Sequence, residues 1–283
     1  MLSRLFKTIL ASGSPARRAD DVTALYLALM KSCLTNSIYD DDLDLRTGIQ
    51  KLDPATGKYV CVAGVAAGPQ AKHLGIIWPS RAHTMVGIPR LDNLQQCIEG
   101  VIAQGVAGDI IEAGVWRGGA AIFARAVLKA YGVTDRTVWV ADSFEGLPEA
   151  DAREHPYDHQ LELHAQAVLA ISLEEVKRNF ERYGMLDDQV RFLKGWFKDT
   201  LPSAPIARLA VLRVDGDHYE STMDVLHSLY PKVTTGGYVI IDDYSMVQGC
   251  DLAVRDFRRQ QAITDELQRI PGGYGAYWQR RSA

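Results

Sequence analysis

The chain has 283 residues, enough for one large domain or two small ones with a sizeable core. Apolar residues make up 47% and charged residues 23%, which excludes a largely disordered chain. Lys and Arg total 31 against 35 Asp and Glu, a net charge of −4, and this argues against a protein built to hold nucleic-acid phosphates.

The opening MLSRLFKTILASGSPARRADD interrupts its apolar residues with Arg4 and Lys7, so it lacks the unbroken apolar core of a signal peptide. Residues 1–20 are expected to be a flexible arm. Asp20 and Asp21 can cap a helix that runs to about Thr35, with Val22, Leu25 and Leu29 on one face. The acidic run YDDDLDLRTG (39–48) reads as loop. The Gly-, Ala- and Val-rich segment 60–68 reads either as a short hairpin or as a loose insertion. It is also the longest apolar run, too short to cross a bilayer. RLDNLQQCIEGVIAQG (90–105) reads as a helix ending at Gly105. Cys33, Cys61, Cys97 and Cys250 lie far apart with no C-x-x-C pair, which suits reduced thiols in a cytoplasmic protein and not a disulfide or zinc framework.

From Gly108 onward the pattern turns regular. DIIEAGV (109–115) is a β-branched run, and the helical stretch AAIFARAVLKAYG (120–132) after it stops at Gly132. TVWVADSF (137–144) is a second strand with a polar end. SLEEVKRNFERYG (172–184) has a capping box, Ser172 with Glu175 three residues on, and an apolar face of Leu173, Val176 and Phe180. QVRFLKG (189–195), LAVLRVDGD (209–217) and GGYVIIDDY (236–244) follow as strands, with helices over 220–230 and 249–260. ITDELQRI (263–270) and GAYWQRR (275–281) read as a closing strand pair. This alternation implies βαβ units and an α/β fold, a mostly parallel twisted sheet with helices on both faces. Ligands bind such sheets outside the C-terminal strand ends, near the switch point. Four of those ends carry acids: Glu112, Asp142, Asp215 with Asp217, and Asp242 with Asp243.

The first strand runs into EAGVWRGG, where Gly114, Gly118 and Gly119 allow a tight turn and close backbone approach. The spacing is neither the dinucleotide fingerprint nor the phosphate loop, and no lysine follows to hold a terminal phosphate. Glu112 suits an ammonium group or hydroxyls and would repel a pyrophosphate. Asp142 can accept both hydroxyls of a ribose. Together they fit S-adenosylmethionine, with its amino-acid head, ribose and no phosphate, better than NAD.

The strings EAGVWRGG, VWVADSFEGLP, VRFLKGWFKDTLP, LRVDGDHYESTMD and GGYVIIDDY resemble the macrocin O-methyltransferase family. These are metal-dependent enzymes that methylate sugars of macrolide and aminocoumarin antibiotics. LYLALMKSCLTNSIYDD and RAHTMVGIPRLDNLQQCIE look like the same family, so the resemblance spans about 22–47 and 79–281. Residues 48–78 depart from it. In relatives that region belongs to a lid over the acceptor, so the departure bears on the acceptor more than on the chemistry. The resemblance implies a Rossmann-like class I methyltransferase domain over 108–283 and a helical N-terminal lid region over 21–107. It implies S-adenosylmethionine and magnesium, a small-molecule glycoside as acceptor, and a homo-oligomer with no membrane span.

An alcohol holds its proton tightly at neutral pH, so methyl transfer to it needs a base, a metal or both. Asp215, Asp242 and Asp243 at adjacent strand ends would bring three carboxylates together. Like charges that close favour a cation, and oxygen ligands suit magnesium. By resemblance these three are the metal ligands; the rival reading makes Asp242 and Asp243 a helix cap. Asp217 leaves the same face as Asp215 if the chain is still extended there. The family pattern gives Asp217 the general-base role, His218 competes for it, and Asp215 can serve as both ligand and base. The expected donor contacts are Glu112 and Gly114 at the methionine moiety and Gly118 and Gly119 in the turn. Asp142 and Ser143 are expected at the ribose, Gly195 and Trp196 at the adenine, and Thr84 and Met85 in the lid over the donor. Trp196 is otherwise core packing. Arg117 either meets the donor carboxylate or is solvated. His155, His159 and His164 lie in the loop after the second strand, where one can reach the acceptor. Two other functions fit parts of the pattern. One is a catechol-type phenolic O-methyltransferase with the same metal chemistry. The other is a non-catalytic metabolite-binding protein, which has no use for four clustered acids.

Overall fold

The structure is a computed structural model and describes residues 15–45, 50–52, 59–61, 65–66 and 68–281. Residues 1–14 of the expected arm, and parts of 48–78, lie outside these described residues. Helix α1 (Pro15–Leu34) begins ahead of Asp20 and Asp21, which therefore lie inside it and do not cap it. Its buried stripe also differs from the expected one. Leu27, Met30 and Leu34 enter the core, whereas Val22, Leu25 and Leu29 are exposed. The helix carries two apolar faces, and helical periodicity alone does not say which meets the sheet. Strands β1 (Leu43–Asp44), β2 (Gln50–Leu52), β3 (Tyr59–Cys61) and β4 (Val65–Ala66) form two antiparallel pairs, β2 with β3 and β1 with β4. Helix α2 (Pro69–Leu74) stops at Gly75 in the left-handed region, and α3 (Ile88–Ala103) starts with a proline in its first turn.

The second half alternates as expected: β5 (Asp109–Ala113), α4 (Gly119–Ala130), β6 (Val138–Asp142), α5 (Pro156–His159), α6 (Leu173–Arg182), β7 (Val190–Lys194), α7 (Phe197–Thr200), β8 (Leu209–Val214), α8 (Tyr219–Leu229), β9 (Val233–Ile241), α9 (Gln248–Gln260), β10 (Gln268–Arg269) and β11 (Ala276–Gln279). The Ser172 hydroxyl accepts from the Glu175 N–H and caps α6. One seven-stranded sheet has the order β10-β11-β9-β8-β5-β6-β7. Strands β5 to β9 pair in parallel, β11 runs antiparallel to β9, and β10 antiparallel to β11. Helices cover both faces. One core cluster joins Leu27, Leu94, Phe123 and Phe180; the other joins Val225, Leu229, Val254 and Phe257. Strand β8 is buried along its whole length, the continuous burial expected of a central parallel strand. Among the described residues Cys33, Cys97 and Cys250 are free thiols, and no helix is long and apolar enough to cross a membrane.

The chain leaves β5 for β6 and β7 on one side and reaches β8 and β9 on the other, so the switch point lies between β5 and β8. Ladder bonds continue past the strands: Gly114 N–H to Ala141 O at 2.9 Å, Asp215 N–H to Ala113 O at 2.8 Å, and Asp242 N–H to Val214 O at 2.9 Å. These bonds hold the acid-bearing ends side by side.

Candidate active site

A cavity of about 520 Å³ opens over these strand ends, within the usual range for a small-molecule site. Thr84, Met85, Glu112, Gly114, Asp142, Ser143 and Trp196 line it, together with Asp215, Asp217, Asp242 and Asp243. Gly118, Gly119 and Gly195, expected at the donor, do not. Gly118 and Gly195 turn the chain at the start of α4 and after β7. Gly119 serves close packing: a Cβ there would come within 2.4 Å of His83 O, so glycine lets the segment before α3 press onto the turn. Gly114 has the same reason at the switch point. Its φ is +89°, and a Cβ would lie 1.7 Å from Asp215 O.

At the β6 end of the cavity, Asp142 accepts from the Val115 N–H at 2.8 Å and from the Phe144 N–H at 2.7 Å. The first bond is taken by Oδ2 and the second by Oδ1, and the residue also lines the cavity. Ser143 Oγ donates to Gly146 O at 2.6 Å and accepts from the Glu145 N–H, so it shapes the loop. Arg117 does neither thing expected of it. It donates to Pro79 O, Ser80 O and Ala82 O at 2.8–3.2 Å. From the other side the buried Asp42 accepts from the Arg81 N–H at 2.6 Å and the Ala82 N–H at 3.2 Å, and pairs with Lys72 at 3.1 Å. Burial raises the Asp42 pKa, but hydrogen bonds from Arg81, Asn36 and Lys72 outweigh it and the net shift is downward. These contacts fix the wall that carries Trp78, Thr84 and Met85. Asp42 gave no periodic signal in the sequence; only its place in an acidic run stood out.

At the other end, Asp215, Asp242 and Asp243 each offer an oxygen within 4.8 Å of the others. Asp217 reaches the cavity by a route other than the extended one expected. Strand β8 ends at Val214, and Asp217 has a φ of +53°, a left-handed turn. Its N–H donates to Asp243 Oδ2 at 2.9 Å. His218 is 2% exposed, sits at the N-terminus of α8 and does not line the cavity. His155 stacks on Tyr219, and His159 Nδ1 lies 3.0 Å from Ala150 O; neither faces the cavity, nor does His164.

Crowding shows in the electrostatics. Burial, then the charges of Asp215 and Asp242, push Asp217 up to about 8. Burial, then Asp217 and Asp215, raise Asp243 well above the carboxylate range. Burial raises Glu112 to about 8, against the pull of Arg213. Two buried guanidinium groups, which the sequence reading passed over, answer part of this. Arg213 donates to Glu112, Asp215 and Asp242, and Arg90 donates to Asp242. The signal for Arg213 was present, a lone charge inside the apolar strand LAVLRV. Five carboxyl groups still face two arginines. The raised pKa values of Glu112, Asp217 and Asp243 mark burial and repulsion that the arginines leave unrelieved, and an all-oxygen set of this kind fits a hard divalent cation such as magnesium. Glu112 Oε2 is buried without a hydrogen-bond partner, which fits an incoming ammonium group.

A family model described as Macrocin-O-methyltransferase (TylF) matches residues 23–280. The 8-demethyl-8-(2,3-dimethoxy-alpha-L-rhamnosyl)-tetracenomycin-C 4'-O-methyltransferase of Streptomyces olivaceus is 53% identical over 265 residues, 93% of this chain and 95% of that protein. The mycinamicin III 3''-O-methyltransferase of Micromonospora griseorubida is 51% identical over 262 residues, 92% of this chain and 97% of that one. The solved structure of the O-methyltransferase NovP has a TM-score of 0.80 at 49% identity, covering 92% of this chain and 100% of that chain. The sheet is thus that of a class I methyltransferase, and the chain belongs to the macrocin O-methyltransferase family and is an O-methyltransferase.

Proposed function

We propose that the protein moves the methyl group of S-adenosylmethionine onto a sugar hydroxyl of a glycosylated natural product, with magnesium held by Asp215, Asp242 and Asp243. The observation that carries this reading is the convergence of those three carboxylates within 4.8 Å in the same cavity as Glu112 and Asp142. The glycoside acceptor is supported by relatives at about half identity, named for rhamnosyl-tetracenomycin and mycinamicin.

Magnesium bound there supplies the Lewis acidity that eases loss of the acceptor's proton. Asp217 takes that proton. Its burial makes it a stronger base than a solvated carboxylate. Glu112 accepts from the donor's ammonium through the free Oε2, and Asp142 from the ribose hydroxyls. Trp196 covers the adenine, and Thr84 and Met85 close the wall against water.

Titration calorimetry tests this reading. The wild type is expected to bind S-adenosylmethionine and magnesium, and Asp215→Ala to keep the donor and lose the metal. No donor binding by the wild type, with or without magnesium, overturns it. Asp243→Ala is expected to abolish turnover and its magnesium dependence together; full rescue by added magnesium removes Asp243 from the ligand set. Methyl transfer to a catechol but to no glycoside would replace the sugar with a phenol.

A further inference from the structure

Strand β8 carries one charged residue, Arg213, and no step of the proposed reaction uses it. It is 1% exposed and stands opposite Glu112 in the β5–β8 ladder. Nη1 donates to Glu112 Oε1 at 2.5 Å and to Asp215 Oδ2 at 2.8 Å, and Nη2 donates to Asp242 Oδ1. Arg90, on α3, donates to the other oxygen of Asp242 and to Gly75 O at 2.7 Å. Two members of the carboxylate triad are therefore bonded to fixed positive charge. Such a network holds carboxylates together that would otherwise repel. It has a second effect. A cation bound by Asp215 and Asp242 shares them with a guanidinium beside it, where little water screens the repulsion.

We propose that Arg213 is a positioning residue that sets the cation affinity of the triad. It keeps the carboxylates assembled before a metal arrives and holds metal binding weak enough to exchange. This rests on the magnesium reading above. Removing Arg213 has two opposed effects on that affinity. It frees lone pairs and removes a like charge, which tightens binding; it also releases the orientation of Asp215 and Asp242, which weakens it. The charge effect is the larger. Both aspartates issue from adjacent strands whose ladder bonds, Asp215 N–H to Ala113 O at 2.8 Å and Asp242 N–H to Val214 O at 2.9 Å, fix their backbones without Arg213.

The experiment is magnesium titration calorimetry on the full chain, with melting temperatures in the presence and absence of magnesium. Arg213→Met is expected to melt lower without metal and to bind magnesium at least about 10-fold tighter, as loss of a neighbouring like charge requires. Its magnesium-induced rise in melting temperature is then larger than that of the wild type. Arg213→Lys keeps the charge and is expected to stay close to wild-type affinity. Arg90→Met removes charge from Asp242 alone and tightens binding by less; it remains the test if Arg213→Met does not fold without metal. Unchanged or weaker magnesium binding in the Met variants, with a wild type that still binds, overturns this inference and leaves the proposed function standing. Equal tightening in Arg213→Lys overturns the charge argument. A wild type that binds no magnesium overturns the proposed function, and this inference with it.

Discussion

The floor and the wall of the cavity are held by different means. The floor is the row of strand ends β5, β6, β8 and β9, where parallel ladders run on into Gly114, Asp215 and Asp242. Backbone bonds fix its geometry, so side chains there are free to do chemistry. The wall, residues 75–86, lies outside the seven-stranded sheet. Scattered backbone bonds tie it to Leu34, Leu43 and Leu45, and side chains add a clamp: Asp42 takes the N–H groups of Arg81 and Ala82, and Arg117 takes the carbonyls of Pro79, Ser80 and Ala82. Substitutions of the strand-end acids in the floor should therefore change rate with little change in fold. Substitutions in the clamps should change affinity and local stability with little change in rate.

Asp217→Asn tests the floor and has the largest expected effect. It removes the proposed base while keeping the side chain's size and the Asp217 N–H bond to Asp243. Turnover should fall by about 10²-fold or more, the typical loss for a general base. Donor affinity, read by calorimetry, should stay near wild type. Near-normal turnover would remove the base from Asp217 and return the question to Asp215.

Asp42→Asn tests the wall. The buried Lys72 loses a charged partner, and an amide N–H₂ faces groups that are themselves donors. Breaking a buried, hydrogen-bonded charge pair of this kind costs about 2–4 kcal/mol. The KM for donor and acceptor should rise more than kcat falls. The pH dependence has a definite sign. The Asp42 pKa is lowered in the fold, so its stabilisation is present above the ordinary carboxylate value of about 4 and is lost as pH falls through the folded value. Melting curves from neutral to acid pH should show a steeper loss for the wild type than for Asp42→Asn. Parallel curves would mean that Asp42 is not ionised in the clamp.

The same contrast explains what the sequence could tell. Strand and helix order from Asp109 to Gln279 was readable because each element carries its own period, and Ser172 with Glu175 marks a helix start within four residues. Acids at successive strand ends then named the triad, because a parallel sheet brings those ends together. What failed were inferences that needed a partner distant in sequence. Nothing local to Val22 or Leu27 says which face of α1 meets the sheet. Nothing near Arg117 announces carbonyls at Pro79 and Ala82 as its acceptors. Asp217 reached the cavity for a reason other than the one given, since one positive φ replaced an extended chain. Arg213 was visible as an odd charge in an apolar strand, but its three partners come from Glu112, Asp215 and Asp242 and appear only with the sheet assembled.

Ser172→Ala is the smallest test and asks how separable the floor and the wall are. The Ser172 hydroxyl accepts from the Glu175 N–H at the start of α6, an N–H that also reaches the Ser172 carbonyl at 3.0 Å, on the exposed side of the molecule. Its loss should lower stability by about 1 kcal/mol, the usual value of a serine cap. Helix α6 also touches the turn between β5 and α4. Asn179 Nδ2 donates to Arg117 O at 3.0 Å, and Val176 fills the space a Cβ on Gly118 would need. Asn179 lies in the second turn, beyond a fraying first turn, and Val176 is held by its own N–H on the Ser172 carbonyl at 3.1 Å, a backbone bond that the substitution keeps. Activity and both KM values should therefore stay at wild-type levels while the melting temperature drops by about 2 °C. A raised donor KM in Ser172→Ala would show that α6 moves as one body, and that the clamp on the wall depends on the helix cap as well as on Arg117 itself.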